Sequence, residues 1–148
     1  MRTLTITIPD LPPKQLSPNW QFPDGGFWIK LQKKHEWQEM VYICAVDARN
    51  LWERQNNQRW LPLEKATIKF LVYTRTSRRM DSDNFLAQNK ATIDTLCTKG
   101  KLELRAEIIV DDSPDRLTIL PPEWRGVMDV MEEKMEIEVN EWTKENRV

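Results

Sequence analysis

The sequence predicts an α+β fold: a single two-layer domain over residues 1–148, with a mixed β-sheet packed against two main helices. Three observations lead there. Apolar residues alternate with polar ones over Thr3 to Ile8, Lys65 to Thr74 and Lys134 to Val139, the period of a half-buried strand. From Glu36 to Arg54 they recur instead at three- and four-residue steps, the period of a helix lying on a core. A chain of 148 residues is long enough to bury a substantial core and too short for two large domains.

In chain order, Thr3 to Ile8 sets threonines against Leu and Ile, and Pro9 closes the strand. Pro12-Pro13, Pro18 and Pro23-Asp24-Gly25-Gly26 then punctuate a long loop expected to carry Lys14, Asn19, Trp20 and Trp28. Trp37, Met40, Val41, Cys44, Ala45, Ala48 and Trp52 form the stripe of the first helix. In the second strand Ala66, Ile68, Phe70 and Val72 share one face, with Lys69, Leu71 and Tyr73 on the other. Ser82 or Asp83 can cap a second helix running to about Thr98, and Gly100 is a plausible stop. Lys101 to Val110 reads as extended, with Leu102, Leu104, Ala106 and Ile108 alternating against charged residues. Asp111-Asp112-Ser113-Pro114 breaks that run, and Arg116 to Leu120 reads as another strand. In the last strand Met135, Ile137 and Val139 alternate with glutamates, which gives an acidic outer face. The sequence has no internal repeat, Gly-rich phosphate loop or low-complexity segment.

Composition narrows the function classes. Seven tryptophans and 40% hydrophobic residues argue against disorder. No run approaches the ~20 apolar residues that span a bilayer, and the N-terminus alternates where a signal peptide would be continuously apolar, so a cytosolic protein without a membrane partner is expected. Cys44 and Cys97 stand apart without CxxC spacing, which favours buried thiols over zinc or a disulfide. His35 is the only histidine, so chemistry needing paired imidazoles is excluded. The net charge of -1 hides an asymmetry: residues 1–80 hold 13 Lys+Arg and 7 Asp+Glu, whereas residues 81–148 hold 9 and 16. Any nucleic-acid contact is therefore expected on the first part.

The segment Arg78-Arg79-Met80-Asp81-Ser82-Asp83-Asn84 places two carboxylates one residue apart where a helix begins. At ~100° per residue, a continuous helix would set Asp83, Lys90 and Asp94 on one stripe, bordering the apolar face of Phe85, Leu86, Ile93, Leu96 and Cys97. Magnesium prefers oxygen ligands and commonly takes one to three carboxylates, which Asp81, Asp83 and Asp112 could supply. A lysine on that stripe could stabilise charge on a reacting phosphate. Simpler roles exist for each: Asp81 to Asn84 as a helix cap, Asp111-Asp112 as a turn, Lys90 and Asp94 as an exposed ion pair worth ~0.2–0.5 kcal/mol.

The order strand, basic pair, DxDN, helix with lysine, apolar run, DD resembles the RusA family of Holliday junction resolvases. The motifs are Arg79-Met80-Asp81-Ser82-Asp83-Asn84, then Lys90-Ala91-Thr92-Ile93-Asp94-Thr95-Leu96, then Ile109-Val110-Asp111-Asp112-Ser113-Pro114. The specific match covers roughly residues 75–120, and the opening strand with Pro12-Pro13 and Asn19 is similar in outline. The resemblance implies an endonuclease, bacterial or phage-encoded and cytoplasmic, that resolves four-way DNA junctions by paired nicking as a homodimer. It implies Mg²⁺, or alternatively Mn²⁺, held by Asp81, Asp83 and Asp112, with Asp111 as a neighbour that ligates or positions, and Lys90 assisting. A catalytically silent DNA- or protein-binding relative, or a nuclease for other branched DNA, remains an alternative.

For DNA contact, Arg75, Arg78 and Arg79 come first, with Lys14, Lys30, Lys33 and Lys34 second; a solvated basic surface is the competing reading. Trp20 and Trp28 could stack on unpaired bases or belong to the core, while Trp37 and Trp52 should be structural.

Overall fold

The computed structural model describes residues 1–75, 81–98 and 104–142. Five strands form one mixed sheet: β1 (Thr3–Ile8), β2 (Ala66–Thr74), β3 (Leu117–Ile119), β4 (Glu123–Gly126) and β5 (Lys134–Glu141). Three helices accompany it: α1 (Gly26–Asn56), α2 (Ser82–Gln88) and α3 (Lys90–Leu96). Short 3-10 turns lie at Lys14–Leu16 and Val130–Glu132. The expected α+β class, with a mixed sheet and helices against it, is what the chain forms.

The sheet runs β1-β5-β2-β3, and β4 also pairs with β2. β5 is antiparallel to both neighbours, with Ile6 opposite Ile137 and Ile137 opposite Phe70. The far edge of β2 is shared: Ala66 to Ile68 pair in parallel with β3, and Leu71 to Thr74 pair in parallel with β4. Pro121-Pro122 separates those two strands, since proline has no N–H to donate to a ladder.

Alternation decides what is buried. Leu4, Ile6 and Ile8 of β1, Ile68, Phe70 and Val72 of β2 and Met135, Ile137 and Val139 of β5 make one inner face, all buried. Trp37, Val41 and Ala45 of α1 and Phe85, Ile93 and Leu96 of α2 and α3 join it in one core. The Phe85 ring packs edge-on against both Phe70 and Trp124, with centroids 5.3 and 5.6 Å apart. On the outer face Glu136 and Glu138 stand half-exposed as expected, and Lys69 and Lys134 pair with Glu123 and Glu136.

Three expectations are corrected, and one strand is added. The first helix begins at Gly26, ten residues before Glu36, so Trp28 is helical and does not sit in the loop, and Lys30, Lys33 and Lys34 are helical with it. The second helix breaks at Asn89 into α2 and α3. Leu104 to Val110 forms no regular strand: Ile109 makes isolated bridges to Leu63 and Cys97, and Ala106 and Ile108 donate their N–H groups to Thr95 and Leu96. Those carbonyls are among the orphans at a helix C-terminus, so this segment satisfies the end of α3 instead of extending the sheet. β4 was not anticipated at all.

Candidate functional site

The break at Asn89 has a local cause. Its side-chain amide donates to the carbonyl of Phe85 (3.1 Å), and its Oδ1 accepts from the Thr92 hydroxyl (3.0 Å). That hydroxyl in turn accepts the indole N–H of Trp37 (2.8 Å). Asn89 and Thr92 are fully buried and Trp37 nearly so, so each polar atom of this relay needs the next. The relay bends the chain, starts α3 at Lys90 and ties that start to α1.

Lys90 stands just outside the relay, exposed at 66%. Its Nζ lies 3.0 Å from Asp94 Oδ1, one turn along α3, and 3.0 Å from Asp112 Oδ2. The hydrogen bonds it donates, to Asp94 first and then to Asp112, push the Lys90 ammonium up to about 12. The same lysine is the main reason the Asp112 carboxyl is held below its ordinary range. At neutral pH the lysine is therefore a fixed cation. Its chemical use is to stabilise negative charge; it cannot serve as a general base there.

Asp111 turns its Oδ1 onto the backbone N–H of Asp112 (2.8 Å), which fixes the direction of the DD pair. Cys97, buried beside this cluster, is pushed up to about 12 by burial and then by Asp112, Asp94 and Asp111, so its thiol is unreactive. Both cysteines are free, with Cys97 buried and Cys44 half-buried.

Asp81 is the cap of α2: Oδ1 accepts the Asn84 N–H and Oδ2 the Asn84 side-chain amide, both at 2.9 Å. Asp83 is exposed in the first turn. Because the helix breaks at Asn89, Asp83 and Lys90 lie on different helices, and the single stripe expected for Asp83, Lys90 and Asp94 holds only for the last two. The structure thus brings Lys90, Asp94 and Asp112 together, with Asp111 supporting, and sets Asp81 and Asp83 at the start of α2.

The donor set suits a hard cation: every candidate is a carboxylate at least partly open to solvent, and the one imidazole, His35, is exposed on α1. Among the described residues no group of three or more His, Cys, Asp or Glu side chains is gathered as a metal cluster. The Lys90 ammonium occupies the cationic position between Asp94 and Asp112.

The basic candidates divide. Arg78 and Arg79 lie outside the described residues. Arg75, exposed at the end of β2, pairs with Glu133 (3.7 Å), which also accepts the Arg75 N–H. Lys14 is exposed on its 3-10 turn, and Gln88 ties the adjoining Pro12 and Pro13 carbonyls to the end of α2. Lys30, Lys33 and Lys34 occupy the first third of α1. Trp37 is buried and Trp52 half-buried against Trp60, as expected of structural residues, whereas Trp28 is 70% exposed. Asn89 and Thr92, which place Lys90, carried no signal in the sequence beyond polar side chains at helical spacing.

None of the described helices is long and apolar enough to cross a membrane. The chain matches no protein-family model, and no curated protein matches it closely enough to count as a relative.

Proposed function

We propose that the chain is a Mg²⁺-dependent endonuclease acting on branched DNA, four-way junctions foremost, and working as a homodimer. The observation that carries this reading is the contact of Lys90 Nζ with both Asp94 and Asp112, which joins the helix after the DxDN motif to the DD pair. The resemblance of the same motifs to RusA-type resolvases supplies the substrate class.

In this reading Asp81, Asp83 and Asp112 hold Mg²⁺ (or Mn²⁺), with Asp111 orienting Asp112 through its backbone N–H. The bound ion would polarise the scissile phosphate and lower the pKa of the attacking water. Lys90 exchanges its carboxylate partners for the phosphate oxygens and offsets their growing charge. Arg75, Arg78 and Arg79, immediately before the acidic pair, hold the flanking backbone phosphates. A dimer with two-fold symmetry would present one site to each of two opposed strands of a four-way junction.

The cap made by Asp81 and the ion pairs of Lys90 favour one competing reading, in which the carboxylates only build structure and the protein binds DNA or a protein partner without cutting. Incubation with labelled four-way, flap and linear DNA, with and without Mg²⁺, separates them. Symmetrical metal-dependent nicks in the four-way substrate are expected; flap cleavage would widen the substrate class, and binding without cleavage would establish the silent reading. Asp83→Asn should lower cleavage by at least about a hundredfold with junction binding nearly unchanged, and equal cleavage by the variant would remove Asp83 from the ligand set.

A further inference from the structure

The buried stripe of α1, Trp37, Val41 and Ala45, continues toward the N-terminus in steps of three and four as Lys34, Lys30 and Phe27. Between Phe27 and Glu36, however, no residue is buried. This overhang is about 15 Å long. Two hydrogen bonds fix its direction. Trp37 meets Thr92 near the start of α3, while Arg49 donates to the carbonyl of Ala106, whose N–H reaches Thr95 near the end of α3. α1 and α3 therefore run the same way, and the overhang projects past the end of α3 at which Lys90 stands.

Aromatic rings cover it: Phe22 is 57% exposed, Phe27 63% and Trp28 70%. They are held in place. Phe22 lies across Gly26, where an added Cβ would meet the Phe22 ring at 3.0 Å, and the Phe27 and Trp28 rings meet edge-on at 5.4 Å. From Gly25 to His35 the chain carries Lys30, Lys33 and Lys34 and no acidic residue. Lys30 sits 5.4 Å over the Phe22 ring, and Lys33 has only an exposed partner, Glu36, at 3.6 Å. A second copy packed on this face by two-fold symmetry would set three lysines against three lysines. A nucleic-acid strand offers the opposite: flat bases for the rings and anions for the ammonium groups.

We infer that this lip binds unpaired nucleotides, with Phe22, Phe27 and Trp28 stacking on bases and Lys30, Lys33 and Lys34 holding phosphates. The inference rests on the nuclease reading only for its purpose, which is to lead an unpaired strand toward Lys90; the binding belongs to the lip alone.

The test is fluorescence anisotropy of the full chain with a labelled oligothymidylate of about 12 nucleotides, without Mg²⁺. The F27A/W28A variant should bind at least about tenfold more weakly. The K30Q/K33Q/K34Q variant should lower the slope of log affinity against log salt by about 2. Far-UV circular dichroism should be unchanged throughout. No binding by the parent chain, or equal binding by F27A/W28A, overturns the inference. So does self-association abolished by F27A/W28A with oligonucleotide binding untouched, which would assign the face to a second copy. A chain that binds through the lip yet cuts no branched DNA keeps this inference and loses the nuclease reading; a chain that cuts while F27A/W28A binds normally does the reverse.

Discussion

From Trp37 onward α1 is held at nearly every turn, whereas from Phe27 to Glu36 the same helix is held almost nowhere. The inner part buries Trp37, Val41 and Ala45, gives its indole N–H to Thr92 and its Arg49 guanidinium to Ala106, and packs Trp52 on Trp60. The outer part shows solvent two large rings, with Lys30, Leu31, Lys33 and Lys34 half-buried between them and the inner part. The difference separates two sources of helicity. Tertiary packing nucleates the inner turns, and propagation, which costs little per added residue, carries the outer ones. A segment that owes nothing to the core can give its side chains to a partner.

This contrast can be broken at three points. The largest effect belongs to Trp37→Ala, which removes a buried ring and leaves Thr92 without its donor; a loss of about 3–5 kcal/mol is expected in urea unfolding. A smaller loss there would mean that the inner half is not the anchor. Thr92→Val keeps the shape and cuts both hydrogen bonds of the relay, for about 1–3 kcal/mol. Because the relay places Lys90, the proposed cleavage of branched DNA should fall in kcat more than in KM, and a pure stability change with normal kcat would strip the relay of that role. The smallest effect is Trp28→Ala, expected within about 0.5 kcal/mol of the parent in the same unfolding experiment. A larger cost would show that the outer half is packed after all.

The same contrast explains what was legible in the sequence. β1, β2 and β5 were read closely because each buries one face, and burial writes period two into the residues. The inner half of α1 was read for the equivalent reason. Its outer half was not, because with no core to face there is no apolar stripe to find, and Pro23 to Gly26 looked like loop. β4, Glu-Trp-Arg-Gly on the edge of β2, is too short and polar to alternate. Leu104 to Val110 misled in the opposite direction: Ala106 and Ile108 are buried and Arg105 and Glu107 exposed, yet the backbone partners are helix carbonyls, and Glu107 adopts a left-handed φ of 57° that no regular strand contains.

At the candidate site, the four-residue spacing made the Lys90–Asp94 ion pair legible, whereas the contact of Lys90 with Asp112, read in the sequence as a metal ligand, was not foreseen. The kink between Asp83 and Lys90 escaped notice because its cause, a hydrogen bond to Trp37 by way of Thr92, is tertiary. The cap of α2 is Asp81 and not the expected Ser82 or Asp83, which lie inside the helix; the capping role leaves each Asp81 oxygen further lone pairs for a cation.

The position of β5 bears on how the chain can be made. It is the last of the described strands along the sequence, yet it lies between β1 and β2, and no direct pairing joins those two. A ribosome releasing this chain exposes Thr3–Ile8 early and withholds the strand that completes it until residues 134–141 emerge. Until then two apolar strand edges wait uncovered. Folding of the sheet is therefore dominated by contacts between distant parts of the chain, and β1 and β2 keep uncovered, aggregation-prone edges until β5 pairs with both.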